Sequence, residues 1–258
     1  MVLRVLFSRA EIPGVVREMG RAEAREAVWV AIDVLRATTT IVSAFEAGCG
    51  AIYPAASIAE ARRLRRDARG GSRLLAGERN GRPIRGFDLG NSPREFVADR
   101  VAGRGIVLTT VNGIRTLQAA VEEGAREVRV ASFANAGAAA RRAAALARER
   151  GRGGGVNIVC SGRDARFCLE DAVCAGLVAE GIRGRGKGME LTDSALACWN
   201  LYQRHCGDLL GMLRESSWGR YLQGLGLGPD VEFCARTDWS RVVPVFAGGV
   251  IRPESGGR

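Results

Sequence analysis

Apolar, strand-length runs recur along this chain with helical patterns between them, and four of the runs end in a short polar motif. The runs lie near residues 2–7, 28–32, 50–54, 73–76, 105–109, 127–131, 156–160 and 242–246. Helical patterns fall at about 38–47, 57–69, 92–99, 113–123, 135–149, 169–181 and 190–213. Alternation of this kind requires crossover connections and therefore parallel βαβ units. The expected fold is α/β, a mainly parallel sheet flanked by helices. Alternation restarts at Glu127-Val128-Arg129-Val130, which divides a single unit of residues 1–258 into lobes 1–125 and 126–258. Ser92-Pro93-Arg94-Glu95 reads as a helix start, with Ser92 capping and Glu95 completing a capping box.

In parallel sheets, ligands bind in the crevice outside the carboxyl ends of the strands. Four motifs are delivered there. Val28-Trp29-Val30-Ala31-Ile32 leads into Asp33-Val34-Leu35-Arg36-Ala37-Thr38-Thr39-Thr40, and Arg73-Leu74-Leu75-Ala76 into Gly77-Glu78-Arg79-Asn80-Gly81. Ile106-Val107-Leu108 leads into Thr109-Thr110-Val111-Asn112-Gly113, and Val156-Asn157-Ile158-Val159 into Cys160-Ser161-Gly162-Arg163. Carboxylate, arginine, hydroxyl and glycine backbone together suit a small anionic phosphate ester.

Composition removes several alternatives. The net charge of +10 invites a nucleic-acid reading, yet Lys187 is the only lysine among 38 basic residues, a skew that points to GC-rich coding. Arg62, Arg63, Arg65, Arg66 and Arg69 wrap around one helix instead of forming a stripe, and aromatics are only 6%. Nucleic-acid binding is therefore not expected. Seven cysteines without a Cys-x-x-Cys pair argue for reduced, mostly buried thiols. His205 is the only histidine, so multi-histidine metal sites are excluded and any Ser-His-Asp triad would have to use it. No apolar run is long enough to span a membrane and the N-terminus does not read as a secretory signal, so the expected location is the cytoplasm. Association into a homo-oligomer is compatible with all of this.

Each motif has a bland alternative. A lone Asp33 would be an ordinary cap at a strand-to-helix turn. Arg36 three residues on changes the balance, because a guanidinium fork recognises phosphate or carboxylate in bidentate fashion. Thr38 and Thr39 can cap the following helix and leave its amides for an anion. An aspartate in such company is either a magnesium ligand or a nucleophile. Thr109, Thr110, Asn112 and Gly113 supply hydroxyl, amide and close backbone approach to phosphate oxygens. Cys160 reads as a small buried residue, with Ser161 and Gly162 forming the turn before Arg163. Glu170 and Asp171 open a helix, where acids complement its dipole or reach a metal. Asp88, in the glycine-bounded loop Gly86-Phe87-Asp88-Leu89-Gly90, is a further oxygen-ligand candidate. Carboxylates without histidine suit Mg²⁺. The stretch Gly181 to Gly188 nearly spells a phosphate-binding P-loop, but Gly188 stands where Ser or Thr must hold the metal and a helix precedes it.

Taken in order, the segments Asp33 to Thr39, Gly77-Glu78-Arg79, Gly86 to Pro93, Thr109 to Gly113, Leu169 to Gly176 and Asp230 to Arg236 resemble the 2-phosphosulfolactate phosphatase (ComB-like) family. The resemblance covers nearly the whole chain. It implies two similar α/β lobes and a Mg²⁺-dependent hydrolysis of (R)-2-phospho-3-sulfolactate to 3-sulfolactate and phosphate, serving coenzyme M synthesis. On that expectation Asp33 and Arg36 are catalytic, and Thr38, Thr39, Arg79, Thr109, Thr110, Asn112, Gly113, Ser161, Gly162 and Arg163 bind substrate. Asp33, Asp88, Glu170 and Asp171 would hold the metal. Val111 and Ile114 stand where the resemblance leads one to expect hydroxyl residues.

Overall fold

The computed structural model describes residues 1–68, 73–151, 155–164, 166–184 and 189–254. Arg69 of the arginine-rich helical pattern, residues 152–154, and residues 185–188 of the near-P-loop stretch lie outside these. All eight expected strands form: β1 (Val2–Leu6), β2 (Val28–Ile32), β3 (Ala51–Pro54), β4 (Leu74–Arg79), β6 (Gly105–Thr109), β7 (Val128–Ala131), β8 (Val156–Cys160) and β10 (Pro244–Ala247). Three more accompany them, β5 (Arg82–Pro83), β9 (Glu190–Leu191) and β11 (Val250–Pro253), two of them too short to carry a periodic signal.

Together they make one sheet in the order β5-β4-β6-β3-β11-β10-β7-β2-β8-β1-β9. The fold is α/β and mainly parallel, as the alternation requires. Antiparallel pairing is confined to the edge hairpin β4–β5 and to the steps β3–β11, β11–β10 and β10–β7. Three reversals in succession leave β3 and β7 pointing in opposite directions. Strands β1 and β2, from the first 32 residues, sit beside β7, β8 and β9, so one continuous sheet runs through both ends of the sequence.

Side chains alternate across the sheet with period two. Val28, Val30 and Ile32 face one core, under the helices Ala136–Glu149 and Leu169–Arg183. Trp29 and Ala31 face the other, which also takes Ile52 from β3 and Ile106 and Leu108 from β6. Ile41 of the helix Ala37–Glu46 and Leu117 of the helix Gly113–Glu122 fill that second core. Strands from both halves therefore close around the same two helices. Five steps separate β6 from β2, and a twist of roughly 20–25° at each turns the ends by about 100–125°. The segments that follow the two strands do meet, Gly113 after β6 lying against Asp33 and Ala37 after β2.

Two expected helices differ. Residues 92–99 form a 3-10 turn, Pro93–Glu95, which Ser92 does not cap, and the start of a separate short helix, Ala98–Val101. The Ser92 hydroxyl donates instead to Asp230 at 2.7 Å, and Glu95 accepts from the amide of Gly90. The helical pattern at 190–213 divides into Asp193–His205 and Leu209–Glu215, because Asp208 caps a new start by accepting from Gly211. Two further helices, Ser217–Gly224 and Gly228–Cys234, complete a C-terminal cluster. No helix among the described residues is long and apolar enough to cross a membrane. All seven cysteines are free thiols.

Candidate active site

The four strand-end motifs converge on one cavity. Asp33 and Arg36 follow β2, Glu78 and Asn80 belong to the end of β4, Thr110 and Asn112 follow β6, and Gly162 and Arg163 follow β8. Glu170 and Asp171 enter from the first turn of Leu169–Arg183. The sheet supplies what its sequence pattern promised, a rim built from separate strands.

Asp33 sits at the centre of the local hydrogen bonding. Its amide donates to Thr38 Oγ1 at 3.0 Å, and that hydroxyl donates back to the Asp33 carbonyl at 2.7 Å. Its Oδ1 accepts from the Ala37 amide at 3.2 Å. Gly113 comes so close that a β-carbon there would stand 2.7 Å from Ala37 Cβ and 2.9 Å from Asp33 Oδ2. Glycine is the residue this approach admits. Burial pushes the Asp33 carboxyl up to about 7, with the charges of Glu78 and Glu170 adding to it. The amides of Ala37 and Gly113 oppose that rise.

Asp171 ties two strand ends together: Oδ1 accepts from the Val34 amide at 2.9 Å and Oδ2 from the Gly162 amide at 3.1 Å. Burial holds its carboxyl well above the usual range, and the charges of Asp33 and Glu170 raise it further. Glu170 is raised by burial too, against its own amide and the Ser216 hydroxyl. Glu78 repeats the tie on the other side, accepting from Gly81 at 2.9 Å and from Val111 at 3.2 Å.

The remaining predicted residues divide by where they point. Thr39 donates to the Val34 carbonyl and Thr110 Oγ1 accepts from the Ile114 amide, so both shape the turns. Thr109 accepts from Arg79 Nη2 at 3.1 Å, while Arg79 Nη1 donates to the Glu78 carbonyl at 2.6 Å. Arg36 is buried, with Nη1 2.6 Å from Asp230 Oδ2 and Nη2 donating to the Gly81 carbonyl at 2.7 Å; the Leu35–Arg36 peptide is cis. Asn112 accepts from Arg9. Ser161, fully buried beside β2, has a hydroxyl without a protein partner. Asp88 is not brought to the cavity. Its Oδ2 accepts from the Leu75 amide at 2.7 Å and pairs with Arg65 at 3.2 Å, which uses it to pin the loop to β4.

Several lining residues escaped the sequence reading. Asn91, three residues beyond Asp88, does reach the cavity, and its buried amide oxygen has no partner. Glu78 had a signal, its place at a strand end between Gly77 and Arg79. Cys168 and Trp218 had none, since the first lies in a turn and the second on a helix that periodicity did not resolve. Burial, together with the charges of Asp171, Glu170 and Asp33, pushes the Cys168 thiol strongly up, so it is a poor nucleophile.

Among the described residues no three His, Cys, Asp or Glu side chains stand together as a ready ligand cluster. The donor chemistry nevertheless fits Mg²⁺. Asp33, Glu170 and Asp171 border one cavity; burial raises the proton affinity of all three, and the charge of Glu170 adds to the rise at Asp33 and Asp171. Magnesium binds through one or two carboxylates and keeps waters and phosphate oxygens in its other positions.

Known proteins similar to this chain share one description. A family profile described as 2-phosphosulpholactate phosphatase matches residues 15–249. A probable 2-phosphosulfolactate phosphatase of Symbiobacterium thermophilum is 40% identical over 224 residues, 87% of this chain and 93% of that protein. One of Synechococcus sp. (strain JA-2-3B'a(2-13)) is 42% identical over 219 residues, 83% and 86% of the two chains. One of Clostridium acetobutylicum is 33% identical over 222 residues, 86% and 90%.

Proposed function

The chain belongs to the 2-phosphosulpholactate phosphatase family, and from that premise we propose that its Asp33 cavity hydrolyses (R)-2-phospho-3-sulfolactate to 3-sulfolactate and phosphate. The reaction would take place in the cytoplasm, with Mg²⁺, and would serve coenzyme M synthesis. The observation that carries the reading is the crowd of buried carboxylates, Asp33, Glu170 and Asp171, at the carboxyl ends of β2 and β8. Acids that repel one another there are held for a cation and the anion it brings.

Phosphate-monoester hydrolysis is among the slowest uncatalysed reactions, so charge stabilisation has to supply most of the acceleration. Bound Mg²⁺ would supply positive charge against the phosphate oxygens, with Asp33 and Glu170 as the residues to hold it. Asp171 has both oxygens engaged by amides and so keeps the β2 and β8 turns in register. Arg163, whose side chain is exposed beside the cavity, would take the substrate's other oxygens. Arg36 contributes its charge from the wall, where Asp230 and Gly81 hold it still. In the net reaction the ester P–O bond breaks, the oxygen of water ends on phosphorus to give inorganic phosphate, and the leaving alkoxide takes one of the water's protons to become the 2-hydroxyl group.

Asp33 has two available roles, metal ligand or attacking nucleophile, and borohydride separates them because only an aspartyl-phosphate is reduced. The reading itself is tested by phosphate release from racemic phosphosulfolactate, with Mg²⁺ and with EDTA. Metal-dependent release that stops near half conversion is expected. No release under either condition would remove the proposed activity.

A further inference from the structure

Three arginines were singled out at the strand ends, and two of them are already engaged. Arg36 is bound by Asp230 and the Gly81 carbonyl, and Arg79 by the Glu78 carbonyl and Thr109. Arg163 differs. Its one acidic partner among the described residues is its neighbour Asp164, at 3.9 Å, and both side chains are exposed. Its guanidinium lies over the ring of Trp218, 4.3 Å from the centroid. That ring stacks in turn on Tyr221, with centroids 4.6 Å apart and planes 13° from parallel. Stacking occupies the face of a guanidinium and leaves its N–H edge in the plane, free for a bidentate anion.

The platform is itself held. Ser216 caps the helix Ser217–Gly224 by accepting from Gly219 at 3.0 Å, and the Tyr221 hydroxyl reaches the Asn80 carbonyl at 3.3 Å. The turn between β4 and β5 packs so tightly on this helix that a β-carbon at Gly81 would stand 2.9 Å from Leu225 Cδ1. Trp218 is thus anchored to the rim it faces. Arg163 also stands between two spaces. It lines the acidic cavity, and it lines a second of about 450 Å³ that is also bordered by Arg166, Phe167 and Ser217.

We propose that Arg163, aligned by the Trp218–Tyr221 stack, selects phosphate esters that carry a second strong anion one carbon beyond the ester carbon, with that group lying at the mouth of the adjoining cavity. The inference rests on the reading that the Asp33 cavity hydrolyses a phosphate ester. Within it Arg163 touches the substrate, and Trp218 is a positioning residue that acts through Arg163.

The test is the ratio of kcat/KM for 2-phosphosulfolactate to that for 2-phospholactate, which has a methyl group in place of the sulfomethyl group. A ratio is independent of the fraction of protein correctly folded. Wild type is expected to favour phosphosulfolactate. Arg163→Ala is expected to lower the ratio about 10- to 100-fold, chiefly through KM, as loss of a charge-assisted contact does. Trp218→Ala should lower it less, and Trp218→Phe should restore part of the loss because a ring face remains. A ratio near one in wild type, or one unchanged by Arg163→Ala, would overturn the inference and leave the phosphatase reading standing. Turnover of neither ester by wild type would overturn that reading and the inference with it.

Discussion

Two groups of buried charges in this protein respond to burial in opposite ways. Beside β7, Arg129 is fully buried between Glu127 at 3.0 Å and Glu254 at 2.8 Å. Arg150 pairs with Glu127 and Arg142 with Glu254. Burial pushes the Glu127 carboxyl up, but the charges and hydrogen bonds of Arg129 and Arg150 outweigh it, and the net shift is downward. At the β2 rim the same burial acts on Asp33, the neighbouring charges of Glu78 and Glu170 share its sign, and the carboxyl rises to about 7. The first group carries opposite charges within the fold, through Arg129 Nη2, and joins the end of β11 to β7. Among the described residues the second forms no ion pair, and amides are the partners of Asp33 and Asp171. A buried charge paired within the fold belongs to the architecture, and like charges gathered in one cavity mark a place suited to a ligand.

The contrast is open to direct attack. The largest stability effect expected is for Arg129→Ala, which removes the buried cation shared by Glu127 and Glu254 and leaves them only Arg150 and Arg142. Its cost should be about 3–5 kcal/mol in urea denaturation, while turnover per folded molecule stays within about twofold. Equal losses in stability and per-molecule turnover would dissolve the distinction between the groups.

Next in size is the effect of Asp33→Asn on stability without metal. A carboxyl with a folded pKa near 7 and an unfolded value near 3.8 favours folding most fully below pH 4. That contribution is lost as pH rises through 7, because the folded state must then bury a charge the unfolded state carries freely. Asparagine avoids the loss. The variant should be more stable than wild type in EDTA, with a gain growing from pH 5 to pH 8 towards an upper value on the order of 4 kcal/mol. A variant less stable than wild type at pH 8 would mean that Asp33 is a structural carboxylate like Glu127. The smallest effect is expected for Gly113→Ala, whose methyl group would crowd Ala37 and Asp33. It should cost about 1–3 kcal/mol and lower kcat, measured by denaturation and phosphate release on the same sample.

What the sequence discloses about this comparison follows from where each contact originates. Strand ends announce themselves locally, so Asp33, Glu78, Thr110 and Arg163 are legible at the rim once alternation is seen. Glu170 and Asp171 are legible for the same reason, at a helix start one turn beyond β8. Asp88 misleads because its glycine-bounded loop looks like an oxygen-ligand site, yet a single backbone amide and Arg65 occupy its carboxylate, and Asn91 is the residue that faces inward. Trp218 and Asp230 reach the site through helix packing against segments distant in the sequence, Asp230 meeting Arg36 across 194 positions. No local pattern encodes that. The short strands β5 and β9 are invisible for a simpler reason, since two residues cannot display a period.

The most direct test of the central claim, that the uncompensated carboxylates around Asp33 are the hydrolytic site, is phosphate release by wild type and Asp33→Asn side by side in Mg²⁺, on protein shown to be folded by its cooperative melting. The account predicts a loss of at least about a thousandfold in a variant that melts no lower than wild type at pH 8. Substantial turnover by folded Asp33→Asn would contradict it.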